Sequence, residues 1–87
     1  DIGSDITVED TLFAKEIRLL IEIVVSEMPA QRQRIYRMSR EQGVSNEEIA
    51  SKLGISKRSV ENQISLALKE IRQAVTAYVI FLFYMLS

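Results

Sequence analysis

The chain has 87 residues, no cysteine, no histidine and a formal net charge of −1. That length makes one domain with a single modest core. Without Cys or His there is no disulfide framework, no thiolate or imidazole metal site, and no histidine-based triad or acid–base catalyst. The remaining Asp, Glu, Lys, Ser and Tyr form no recognisable catalytic pattern, and no glycine-rich phosphate loop is present. The composition therefore points away from an enzyme, and no cofactor or metal is expected.

The near-neutral total hides a segregation of charge. Residues 1–28 carry seven acids against Lys15 and Arg18, a net of −5. Residues 29–73 carry nine bases against five acids, a net of +4, and the tail from Ala74 carries no charge. A basic block beside an acidic one suits a nucleic-acid binder with a second, protein-facing surface.

In chain order, residues 1–7 read as an unstructured N-terminal segment or cloning remnant, with Gly3-Ser4 as a scar. The chain lacks an initiating Met and so reads as a processed chain or an excised domain. From Val8 to Glu27 the pattern is helical, and Phe13, Ile17, Leu20, Ile21, Val24 and Met28 share a face at spacings of three and four. Leu19, Ile23 and Val25 widen the apolar surface, so this helix needs cover on more than one side.

Pro29 suits the start of a second helix, running from Pro29 or Ala30 to about Gln42 and closed by Gly43. Ile35 and Met38 face the core, with Tyr36 beside them. Arg32, Arg34, Arg37 and Arg40 surround the rest, placed to meet phosphates, to form a solvated face or to meet the acidic first helix. The latter two readings are favoured for Arg32 and Arg34.

Ser45 to Arg72 then specifies two helices joined by a tight turn. Ser45 with Glu48 three residues on makes a capping box. Ile49, Ala50 and Leu53 share one face of a short helix. Gly54 ends that helix by taking the left-handed conformation that a residue without Cβ adopts freely. Ile55 turns inward and Ser56 caps the next helix. There Val60, Ile64, Ala67, Leu68 and Ile71 form one apolar stripe. A small Ala50 for close crossing, a glycine turn and a locking Val60 specify a helix-turn-helix, whose second helix enters the DNA major groove. After it, AVTAYVIFLFYMLS has only Thr76 outside the apolar set between Ala74 and Leu86. As a helix that stretch spans ~20 Å, short of a ~30 Å hydrocarbon core. It is expected to pack on the first helix, dock into a partner or self-associate. The domain organisation is thus a segment 1–7, a DNA-binding domain 8–73 and an apolar helical tail 74–87. The fold class is all-α: four helices containing a helix-turn-helix, with a long recognition helix running into the tail.

MPAQRQRIYRMSREQGVSNEEIASKLGISKRSVENQISLALKEIR resembles the promoter −35-binding domain of bacterial sigma factors, in particular the extracytoplasmic-function group. The residues that carry the likeness are Met28-Pro29, Arg32 to Tyr36, Gly43-Val44-Ser45, Glu48-Ile49-Ala50, Leu53 to Ser56, Val60-Glu61 and Ala67-Leu68-Lys69. The resemblance covers about residues 9–73. It implies four helices, attachment to RNA polymerase core, recognition of the promoter −35 element, a cytoplasmic location, and an anti-sigma factor that covers these surfaces. The family's −10-opening domain is absent from this chain. Response-regulator output domains share Ser45-Asn46, Glu48-Ile49-Ala50 and Val60-Glu61-Asn62 and form the alternative family. They differ in the first helix and in the segment beyond the recognition helix. A module acting mainly through protein interaction is the other alternative.

With Val60, Ile64, Ala67 and Ile71 inward, helical geometry puts Arg58, Asn62, Ser65 and Lys69 on the opposite face. Asn62 can pair with adenine through two hydrogen bonds, and Arg58 can read guanine or hold a phosphate. Ser65 can meet a base edge, and Lys69, deep in the helix, a phosphate. Ser56, Lys57 and Ser59 at the helix N-terminus position the DNA backbone. Glu61 at the flank can accept from cytosine or favour the helix start, and Asn46 meets the opposite phosphate wall. Leu66, also turned outward, stands where many members of the family carry a basic residue. It implies either an apolar contact, such as one to a thymine methyl, or a face that meets protein. Few phosphate contacts imply weak, strongly salt-dependent binding by the isolated chain.

Overall fold

A computed structural model describes residues 12–87, and within them the chain is helical with no strand. The readings for residues 1–7, and for a first helix beginning at Val8, lie outside the described residues. Four helices succeed one another: α1 (Leu12–Ser26), α2 (Ala30–Tyr36), α3 (Asn46–Leu53) and α4 (Lys57–Leu86). A π-helical turn, Arg37–Glu41, extends α2. The 30 residues of α4 make a rod of about 45 Å, close to the molecule's longest dimension of 48 Å. The other three helices all pack on it.

Local chemistry sets the breaks. Met28 N–H closes the end of α1 on Val25 O at 3.1 Å, and Pro29, extended at φ −52 and ψ 145, precedes α2. Ser45 Oγ accepts from Glu48 N–H at 3.2 Å and Ser56 Oγ from Ser59 N–H at 3.0 Å, so both helices of the helix-turn-helix begin on a serine cap. Gly54 adopts φ 68, and Ile55 N–H reaches back to Ala50 O at 3.0 Å. That six-residue closure ends α3 and tucks Ile55 against the core.

The core is two clusters, both against α4. Ile35, Ile49, Ala50 and Val60 are buried together where α2 and α3 meet the first turns of α4. Val25, Met28, Ala67 and Ile71 join α1 to its middle. Full burial of a side chain such as Ile35, Ile49, Val25 or Val60 contributes roughly 1.5–3 kcal/mol.

Two expectations are corrected. The expected face of α1 holds for Ile21, Val24 and Met28, which pack in the core, but Ala14 and Val25, at 7% and 1% exposure, belong to it as well and Phe13, 47% exposed, does not. Apolar residues occupy two arcs of this helix, and Val25 is buried in one cluster with Met28, Ala67 and Ile71. Likewise α2 does not run as a plain α-helix to Gln42. Gln42 N–H bonds Arg37 O five residues back, at 3.1 Å, and Val44 N–H closes on Met38 O at 2.9 Å around Gly43 at φ 70. In this wider turn Arg37 meets α1 while Met38 packs with the Ile35 cluster.

The apolar tail is continuous with the recognition helix. Ala74, Val75, Tyr78 and Leu82 are half-buried, but Ile80, Phe81, Phe83, Tyr84, Met85 and Leu86 are exposed. Among the described residues no helix is long and apolar enough to cross a membrane.

Candidate nucleic-acid interface

The turn at Gly54 and the Ser56 cap fix where α4 starts, and burial of Val60 and Ala67 fixes its rotation. Arg58, Asn62, Ser65 and Lys69 are then all exposed and, spaced by four, three and four residues, form one stripe opposite that buried face. The stripe is about 16 Å long, enough for three or four side chains to reach base edges in a groove about 12 Å wide. Lys57 and Glu61 are exposed beside it, and Asn46 is half-buried in the first turn of α3.

At the N-terminus of α4 the Ser56 and Ser59 hydroxyls hydrogen-bond each other at 2.9 Å. One of the two O–H groups is consumed there, so together they keep one donor for a phosphate beside the helix's open N–H groups. Lys57 Nζ stands 3.6 Å from Glu47, both groups half exposed or more. Such a pair is weak and leaves the ammonium available. Leu66 is 41% exposed and supplies no charge.

Two arginines are committed to the fold instead. Arg32 forms an ion pair with Glu70 and donates Nε–H to Gln63 Oε1 at 2.9 Å, bridging α2 to α4. Arg37 holds both carboxylate oxygens of Glu22 on α1, at 2.7 and 3.2 Å, and also Glu41 at 2.7 Å. This arginine, with the Ser26 hydroxyl, lowers the Glu22 carboxyl below the usual carboxylate range. Glu22 in turn raises the Arg37 guanidinium. The arginine that meets the acidic first helix is therefore Arg37, and Arg32 meets the recognition helix. Arg34 and Arg40 are exposed and form no ion pair among the described residues.

These pairings shape the field over the interface. Arg32 neutralises Glu70, so Glu61 is the acid left on the outer surface of α4, against Lys57, Arg58, Lys69 and Arg72. The Arg32 clamp was not read from the sequence. Its one sequence signal is that Gln63 and Glu70 lie seven residues apart, two turns along a single edge of α4.

No cluster of acidic residues among those described is arranged to hold a metal. The arrangement is a helix offering an amide, a guanidinium, a hydroxyl and an ammonium along one exposed line. The family model described as Sigma-70, region 4 matches residues 18–71, from the second turn of α1 to the last buried residue of the α4 stripe. No curated protein matches the chain.

Proposed function

The chain belongs to the sigma-70 region 4 family, and on that premise we propose that α4 reads the promoter −35 element in its major groove, within a sigma factor of the extracytoplasmic-function group. Region 4 is the promoter −35-binding part of a sigma factor, working with RNA polymerase. The observation that supports this assignment to α4 is the exposed, aligned stripe Arg58–Asn62–Ser65–Lys69 on a helix whose rotation is fixed by two buried clusters.

The roles divide by chemistry. Asn62 pairs with adenine and Arg58 with guanine or a phosphate, while Ser65 meets a base edge between them. Lys57, the Ser56–Ser59 pair and the N-terminus of α4 hold one phosphate strand, and Lys69 meets a phosphate farther along. Asn46 at the start of α3 touches the opposite strand. Glu61 accepts from a cytosine amino group. Binding takes place in the cytoplasm, where the promoter is.

Fluorescence anisotropy tests this with −35 duplexes and scrambled controls, using the whole chain and its Asn62→Ala and Arg58→Ala variants. Asn62→Ala should cost about 1–3 kcal/mol on the preferred duplex and nothing on the scrambled one. Equal binding of both duplexes by wild type and variants alike would remove the base-reading assignment.

A further inference from the structure

The end of α4 is apolar on every side. Val79, Ile80, Phe81, Phe83, Tyr84 and Met85 point around the full circumference, with exposures from 44% at Val79 to 78% at Phe83 and Tyr84. One side only is half-buried, through Ala74, Val75, Tyr78 and Leu82, with Val75 packed on the Val25 cluster and Tyr78 beside α1. A helix apolar all round is stable when buried all round.

The second observation is on α1. Opposite its core-facing side it carries another apolar stripe, Leu12, Leu19 and Ile23, exposed by 74%, 61% and 49%. Leu19 and Ile23 line a groove together with Glu16, Leu20 and, from α4, Tyr78. One chain thus presents an unburied apolar rod and, next to it, an unfilled apolar groove.

We infer that a second copy of this chain covers both, in a two-fold pair that sets the α4 end of each copy into the α1 groove of the other. Three arguments select this occupant. The first is area: with large apolar side chains of ~150–250 Å², the exposed fractions sum to the order of 1,000 Å². A monomer's largest apolar patch is roughly 300–600 Å², whereas a standard interface takes about 800 Å² from each partner.

The second is charge. Residues 74–87 hold no charged side chain, and the one acid lining the groove, Glu16, already meets the Tyr78 phenol. A two-fold axis juxtaposes like with like, and this surface meets no repulsion when it does so. The third argument separates a second copy from a lipid surface. Helices that lie on membranes flank their apolar face with Lys or Arg. Here residues 74–87 carry no base, and on the exposed side of α1 Lys15 and Arg18 are outnumbered by Glu16, Glu22 and Glu27. The pair leaves the recognition stripe free, because Asn62 and Ile80 lie about 27 Å apart along α4.

Sedimentation equilibrium of the whole chain between about 1 and 100 μM tests the pair. Phe83→Glu alters the α4 end and Leu19→Glu the groove, and Leu66→Glu is the control on the same helix outside the patch. All three positions are exposed, so circular dichroism should show unchanged helix content. Wild type and Leu66→Glu should sediment as dimers, and the other two variants should each weaken association at least about tenfold. A monomer across the range, an open-ended series of oligomers, or a dimer indifferent to both variants would overturn the proposal. So would a monomeric chain that binds neutral phosphatidylcholine vesicles.

Discussion

Arg32 on α2 and Glu70 on α4 form an ion pair that ties the helix preceding the helix-turn-helix to the recognition helix beyond it. The Arg32 side chain is only 19% exposed, and its Nε also holds Gln63. The guanidinium therefore spans two turns of α4 and resists rotation of the stripe that bears Asn62. A lysine at this position has no planar fork with which to hold both partners. Arg32→Ala should destabilise the chain by about 1–2 kcal/mol, and Arg32→Lys should recover less than half of that. Urea denaturation of the two variants and of Glu70→Ala gives the numbers. A double-mutant cycle should show coupling between positions 32 and 70, and simple additivity would mean the pair is ornamental.

The turn of the helix-turn-helix depends on backbone conformation rather than on space. Gly54 has φ +68, and a Cβ built there meets nothing within 4 Å. The cost of Gly54→Ala is therefore conformational, roughly 1–2 kcal/mol. Gly54→Asn should cost less, since asparagine tolerates the left-handed region. Thermal melts of the two variants should fall in that order, and equal losses would point to a steric conflict that the structure does not contain.

The parts of the fold legible in the sequence were those fixed within a few residues. Ser45, Gly54, Ser56 and Val60 act through caps, a left-handed turn and helical spacing, and their neighbours in the chain specify them. The outward stripe on α4 could be placed once its buried residues were known. What stayed hidden depended on partners distant in sequence. Periodicity placed Ile21, Val24 and Met28 on the packed face of α1 but not Val25, whose cluster with Ala67 and Ile71 forms across the fold. The same holds for Arg32, whose partners lie more than thirty residues away. The π turn was also hidden: Arg37–Glu41 has ordinary helix-forming residues, and nothing in their identity announces a bond to the fifth residue back.

Two contacts made by α1 give the stability a defined pH dependence. Arg37 and Ser26 lower the Glu22 carboxyl, so the stabilisation is present above the ordinary carboxylate range and is lost as pH falls through the depressed value. Tyr78 shifts the other way: burial against α1 and then the Glu16 carboxylate raise its phenol. Its contribution is complete below an ordinary phenol value of about 10 and disappears as pH climbs through the raised one. Melting temperature measured against pH should lose its acid-side slope in Glu22→Gln and its alkaline-side slope in Tyr78→Phe. Profiles parallel to wild type would disconnect these groups from folding.

Leu66 offers a test of how the interface divides positioning from reading. It is exposed on α4, one residue beyond Ser65, in a stretch whose positive charge comes from Arg58 and Lys69. Each phosphate neutralised by a protein cation adds about 0.9 to the slope of log affinity against log salt. If Leu66 lies over a phosphate, Leu66→Lys should tighten binding at low salt, steepen that slope by about one, and do so equally on preferred and scrambled duplexes. If it lies against a thymine methyl, the same substitution should instead erode the preference for one sequence with little gain on the other. Lys69→Ala is the reciprocal variant: it should flatten the slope by about one and leave the sequence preference as it was. Anisotropy titrations of both variants at several salt concentrations separate the outcomes, because phosphate contacts change the slope whereas base contacts change the ratio between sequences.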